Sequence, residues 1–345
     1  MREQLPASEF LDIGRLAQLF RNCTQSYKFL FFRSILDAVE KGDAQPSNES
    51  LLAGMIVGAW WPVALSRLNI GNSGGKDKLE TLISEIGDVE RGRLDRDEVL
   101  LKAREHLRQE RNGGALRYVR KHLLSPWNNG GLPLYHLHPE CIRIHPAWMD
   151  YFSTNLGIVR GWADHAWLDW VQSRNSNVPV TMAKLSPPGI RRALTRERRF
   201  FMRGIERAGL RCVYTGLELA PPVHIDHFLP RSFVGHDRIW NLLPTTSFVN
   251  MSKGAHLPHS GLVRELANFH SLIVPLAVAA DEDAEIIEQY GLDLRLSPEQ
   301  LQDPASIVSA YDSIVPSMMA IAERMGFTPN WRPNSELAPA TSAPQ

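Results

Sequence analysis

Two adjacent side chains, Asp226 and His227, followed by Asn241 and Asn250, are of the types that one-metal hydrolysis of a phosphodiester requires. A carboxylate and a neutral oxygen donor hold a hard cation, and an imidazole beside them takes a proton from the attacking water. Asp226, Asn250 and His227 are able to fill those three positions. Taken singly, each has an ordinary explanation: Asp-His pairs occur in turns, and an asparagine near a Thr-Ser run is commonly a cap or loop residue. The order and spacing of the set therefore carry the reading.

The elements that must position these residues follow from the surrounding sequence. A β-rich run, Val223 to Phe228, carries Asp226 and His227, and Pro230 ends it. Successive strand side chains point to opposite faces, so the pair has to sit at a strand end or irregularity if both are to address one phosphate. The loop Arg231 to Arg238 leads to a second expected strand over Ile239 to Leu243. Pro244 to Ser247 then reads as the cap of a helix that carries Asn250 and Lys253.

Strand, loop, strand and helix in this order resemble the HNH endonuclease family with its ββα-metal finger, most closely the HNH domain of RNA-guided CRISPR effector nucleases. Three pieces carry the resemblance: Cys212-Val213-Tyr214-Thr215-Gly216, then Ile225 to Phe233, then Asn241 with Asn250 and Lys253. Carried over position by position, it implies that Asp226 and Asn250 ligate the metal and that His227 is the general base. It further implies that Asn241 fixes the loop and orients His227, and that Lys253 lies near a phosphate. Mg²⁺, or Mn²⁺, is the ion expected for oxygen donors. Many HNH proteins also hold a structural zinc with two Cys-x-x-Cys pairs; here Cys212 stands alone and position 215 is Thr, so no structural zinc is expected. His224 either joins the metal or phosphate shell or occupies the outer face of the strand. The resemblance implies cleavage of DNA, in bacterial defence against phage or plasmid DNA. An RNase, an effector subunit of a multi-component defence system, and a catalytically silent nucleic-acid-binding HNH protein are the alternatives.

The chain has 345 residues and 43% hydrophobic content, enough for a full core. The expected fold class is α+β and mainly helical, with the HNH unit embedded between helical regions. The expected divisions are a helical N-terminal domain over 1–190, the nuclease domain with its basic lead-in helix over 191–268, a helical C-terminal region over 269–332, and a disordered tail over 333–345. Cysteines at 23, 141 and 212 form no disulfide framework, and the N-terminus lacks a charged-then-apolar leader, so a cytoplasmic protein is expected. The longest apolar run, Leu51 to Leu65, contains Pro62 and is too short to span a bilayer, so no membrane partner is expected.

Formal net charge is zero, but it is unevenly spread. Residues 191–211 hold eight arginines against two glutamates, and Arg192, Arg196, Arg199 and Arg203 fall at helical steps that give a cationic face suited to a phosphate backbone. Residues 281–303 reverse this, with eight acidic side chains and one arginine. That stretch either pairs with the basic helix, meets another subunit or is simply solvated, the last being the expectation. DNA is the expected partner, with other defence-system subunits or a second copy of the chain as further candidates.

Upstream, Tyr27 to Gly42 and Leu94 to Leu124 have helical periodicity. Gly71 to Lys76 superficially suggests a phosphate loop, but Ile70 stands where the first glycine is needed and Asp77 follows the lysine, so a surface loop is expected. His136, His138, Cys141 and His145 crowd together without the geometry of a zinc site, and Trp148, Trp162, Trp167 and Trp170 are expected as core anchors.

Overall fold

The computed structural model describes residues 5–71, 78–86, 94–110, 114–185 and 193–333. The expected loop over 72–76, Arg191 and Arg192, and the expected tail from residue 334 lie outside the described residues. The chain divides into two compact units, one made of residues 1–176 with 180–188 and the other of 177–179 with 189–345. Helices dominate, and among the described residues strand structure is confined to two short antiparallel pairs and three isolated bridges.

In the first unit, α1 (Tyr27–Glu40) buries Phe29, Leu30, Phe31, Phe32 and Leu36, and the chain leaves it through Gly42 at φ +73°. Helix α2 (Asn48–Trp60) starts where the Ser47 hydroxyl accepts from the Ser50 amide, and it buries its apolar side chains against α1. Helix α3 (Arg96–Gln109) is capped by Asp95 and packs on α2. Strands β1 (Tyr135–Leu137) and β2 (Ile142–Ile144) pair His136 with Arg143, and the His145 ring caps α4 (Pro146–Thr154) by accepting from the Ala147 amide. These histidines are thus spread over a hairpin and a cap, and no three His, Cys, Asp or Glu side chains converge as a metal cage among the described residues. Trp148 of α4 and Trp167 of α5 (Leu156–Arg174) are buried, their indole N–H groups donating to the Leu132 carbonyl and the Ser26 hydroxyl. Trp162 stacks on Phe20, and the Trp170 N–H donates to the Cys23 carbonyl.

In the second unit, α6 (Thr195–Ala208) ends at Gly209 in the left-handed region. Phe200 and Phe201 point inward, and Gly204 lets α6 come so near α9 (Leu262–Ala279) that a β-carbon there would run into Cγ1 and Cδ1 of Ile273. Strand β3 (His224–His227) pairs with β4 (Leu242–Thr245), with Asp226 opposite Leu243 and His227 opposite Leu242. The expected second strand over 239–243 thus starts later, because Ile239 to Asn241 form a 3-10 turn. Inside the loop, Arg231 to Val234 make one helical turn, α7, which buries Phe233 and Val234. Helix α8 (Ser247–Lys253) begins at Thr246, whose hydroxyl accepts from the Val249 amide, and packs on β3.

Helix α10 (Ala284–Leu294) anchors the loop: Arg238 makes two 2.8 Å bonds to the Asp293 carboxylate. Helix α11 (Pro304–Arg324) lies along α9, and its Tyr311 hydroxyl donates to the Trp240 carbonyl. By length and apolar composition, α9 and α11 are each able to cross a bilayer; here each turns a buried face to the core, α9 through Leu266, Ala267 and Val274 and α11 through Ile307, Tyr311 and Val315.

Candidate active site

Strand β3 places Asp226 and His224 on one face and His227 on the other, as strand alternation requires. His227 is the last residue of the strand, where the chain turns into Phe228 and Leu229. This meets the requirement that the pair sit at a strand end. The turn is held by Asn241, whose carboxamide accepts from the Leu229 amide at 2.8 Å and donates to the Leu229 carbonyl at 2.9 Å. Asn241 is fully buried and spends both ends of its side chain on the Leu229 backbone, with no hydrogen bond to the imidazole that the resemblance has it orient.

The imidazole has a different partner. His227 Nε2 lies 2.8 Å from Asp237 Oδ1, and the same oxygen accepts from Arg231 Nε at 2.7 Å. The hydrogen bond from His227, with those from Arg231, holds the Asp237 carboxyl well below the usual carboxylate range in spite of its partial burial. Sequence reasoning misses Asp237. The signal that points to it is an aspartate ten residues after the histidine, in a loop that must return toward the strand end.

Asp226 is buried, and its Oδ2 accepts from the Tyr214 hydroxyl at 2.6 Å and lies 3.2 Å from Lys253 Nζ. Burial, and then the neighbouring Asp226 charge, push the Tyr214 phenol well above its ordinary value, so it stays protonated and donates. Tyr214 itself is held by parallel stacking on Phe228 and by the edge of Trp331. Lys253 differs from expectation. It is fully buried, and its ammonium donates to the His227 carbonyl at 2.6 Å besides pairing with Asp226, so it does not face a phosphate. A buried ammonium needs a carboxylate and a carbonyl to replace its water, and the strand supplies both.

Oδ2 of Asp226 is thus committed to two donors, while Oδ1 has no hydrogen bond among the described residues. Asn250 is half-buried one turn before Lys253 on α8, and its carboxamide also lacks a hydrogen bond among the described residues. One free carboxylate oxygen and one amide oxygen are hard donors that fit a small divalent cation, with the remaining positions left to water and phosphate. His224 is half-buried opposite Thr245.

The zinc-ligand positions of the lead-in are occupied by hydrogen bonds. Cys212 Sγ lies 3.4 Å from the Thr245 hydroxyl, and the Thr215 hydroxyl accepts from the Leu217 amide within the turn that Gly216 closes.

The basic helix is not the open cationic face that its arginines suggest. Arg196 pairs with Glu285, Arg203 with Glu282 and Asp283, and Arg207 with Glu282. The acidic stretch is thus partner to the helix rather than merely solvated. Arg198 and Arg199 are exposed and make no ion pair among the described residues.

Two antiparallel strands, a connecting loop locked by an asparagine, and a helix carrying a second oxygen donor define a ββα unit built around an Asp-His pair. Residues 212–259, a segment of the second unit, match the family described as HNH endonuclease. The likeness covers that segment alone and suggests a nuclease. No curated protein and no solved structure matches the chain.

Proposed function

We propose that this protein is a divalent-metal-dependent endonuclease that hydrolyses phosphodiester bonds in DNA. The observation that carries the reading is the placement, inside the matched segment, of an Asp226 carboxylate with one uncommitted oxygen next to a histidine whose far nitrogen is bonded to a second carboxylate. His227 takes a proton from water through Nδ1. Asp226 and Asn250 hold Mg²⁺, or Mn²⁺, whose chemistry there is neutralisation of the charge that develops on the phosphate. Lys253 and Tyr214 fix the Asp226 carboxylate, and Asn241 sets the turn that presents His227. Arg198 and Arg199 offer backbone contacts. A single centre of this kind cuts one strand at a time.

The test is incubation of the purified protein with supercoiled plasmid and Mg²⁺ or Mn²⁺, with a labelled RNA as competitor. Nicked circles are expected before linear product, and His227→Ala is expected to slow their appearance at least about a hundredfold, the usual share of a general base. Cleavage of RNA in preference to plasmid, or equal rates for wild type and variant, would overturn the reading.

A further inference from the structure

We infer that Asp237 is the positioning residue of the site: its carboxylate fixes the His227 ring with the proton on Nε2, leaving Nδ1 as the base. The inference rests on the nuclease reading for its chemistry and on the observed geometry for its structure.

An imidazole has two nitrogens, and in the neutral ring only one accepts a proton. Which one is available depends on what the other is bonded to. Asp237 Oδ1 is 2.8 Å from Nε2. A carboxylate has no proton to donate, so the ring must supply it, and Nε2 is therefore the protonated nitrogen. Asp237 is kept ionised by its surroundings: Arg231 donates to Oδ1 at 2.7 Å and reaches Oδ2 at 3.4 Å. The loop position is held from both sides, by the one-turn helix that carries Arg231 and by the Arg238 pair with Asp293 immediately after Asp237. His236, the other imidazole in the loop, does not compete for the carboxylate. Its Nδ1 accepts from the Arg238 amide, and burial lowers it to about 4, so it remains neutral.

The proton balance is simple. A water O–H bond breaks as its oxygen attacks phosphorus, the proton goes to His227 Nδ1, and the P–O bond to the leaving ester oxygen breaks, that oxygen taking a proton from solvent. The Nε2 proton stays where it is, and the imidazolium formed lies against the Asp237 carboxylate, which stabilises it without being protonated. With the opposite tautomer, Nε2 becomes the accepting nitrogen and faces Asp237 instead of the water. Asn241 cannot take over this role, since both ends of its amide are bonded to Leu229.

Two variants and two readouts test the assignment in the full chain. Asp237→Ala removes the acceptor; Asp237→Asn keeps the shape and one acceptor oxygen but no longer dictates which nitrogen is protonated. Nitrogen NMR of histidine-labelled protein, with His227→Gln to identify the signal, reports the protonated nitrogen of a neutral ring directly. Wild type is expected with Nε2 protonated, Asp237→Ala with a mixture, and Asp237→Asn between the two. In plasmid cleavage, kcat is expected to fall about ten- to a hundredfold for Asp237→Ala and less for Asp237→Asn, with KM nearly unchanged, by analogy with hydrogen-bond partners that orient metal-bound histidines. A wild-type ring protonated on Nδ1, or an Asp237→Ala protein with wild-type ring state and kcat, would overturn the inference. If wild type cuts no nucleic acid, the nuclease reading fails, and the ring state still decides the structural role of Asp237.

Discussion

Lys253 and Asp226 form an ion pair, 3.2 Å from nitrogen to oxygen, with the lysine wholly removed from solvent. The same ammonium donates to the carbonyl of His227. One side chain of α8 therefore clamps the strand on which both chemical groups sit. Such a pair is expensive to break on one side, because the remaining charge stays buried without a partner.

Lys253→Met is accordingly expected to destabilise the protein by about 3–5 kcal/mol, read from denaturant unfolding. The double variant Lys253→Met/Asp226→Asn should lose clearly less than the sum of the two single changes, since neither charge is then left alone. Strict additivity would show that the two side chains do not interact.

Asn250→Ala removes a donor that makes no hydrogen bond among the described residues, so stability should stay within about 0.5 kcal/mol of wild type, as for a surface change. Cleavage should need markedly more Mg²⁺, and calorimetric titration with Mg²⁺ or Mn²⁺ should show weaker binding. Asp226→Asn should weaken the ion in the same way while also disturbing the Lys253 clamp. Wild-type metal dependence in both would place the ion elsewhere.

His270 of α9 is fully buried, with Nδ1 2.7 Å from the Tyr290 hydroxyl, and burial depresses it to about 3. In the unfolded chain a histidine titrates near 6.5. Between those values the unfolded state binds the extra proton, so the contribution of this neutral ring is complete above about pH 6.5 and is lost as pH falls toward the folded value. The slope from one such group is about 1.4 kcal/mol per pH unit. His270→Gln should therefore show a shallower loss of stability than wild type between about pH 6.5 and 4, in urea melts at stepped pH. Parallel curves would mean that His270 charges within the fold.

The arginine helix divides into paired and unpaired members. Arg198→Gln with Arg199→Gln is expected to weaken DNA binding for all sequences and to flatten the salt dependence by roughly one unit of slope for each phosphate left without its arginine. Arg203→Gln and Arg207→Gln, whose charges are already spent on carboxylates, should change affinity much less and leave stability nearly as in wild type. Affinity measured across a salt series separates the two groups.

Much of the site is legible in the sequence because its pieces are local. Asp226 and His227 are adjacent, Pro230 stops the strand, and Thr246 signals the helix that bears Asn250. What stays hidden depends on the chain coming back on itself. Tyr214 and Asp237 have types that suit any turn or loop, and their roles appear only when the fold brings them to Asp226 and His227. A lysine is almost never fully buried without a partner, so Lys253 reads as a group near a phosphate until its partners on β3 are seen. The arginines of α6 read as an open face because their carboxylate partners, Glu282, Asp283 and Glu285, lie far along the chain. The late start of β4 has a related cause: Asn241 serves the backbone of Leu229 and so draws its own segment into a turn.

The close approach of Gly204 to Ile273 makes two distant positions share one volume. The two are coupled: alanine at 204 needs a smaller residue at 273, and valine at 273 opens room beside the backbone of position 204. In a collection of related chains these two columns should drift as a couple, and a chain that breaks the couple should also have moved its basic helix outward, away from the ββα segment that the helix introduces.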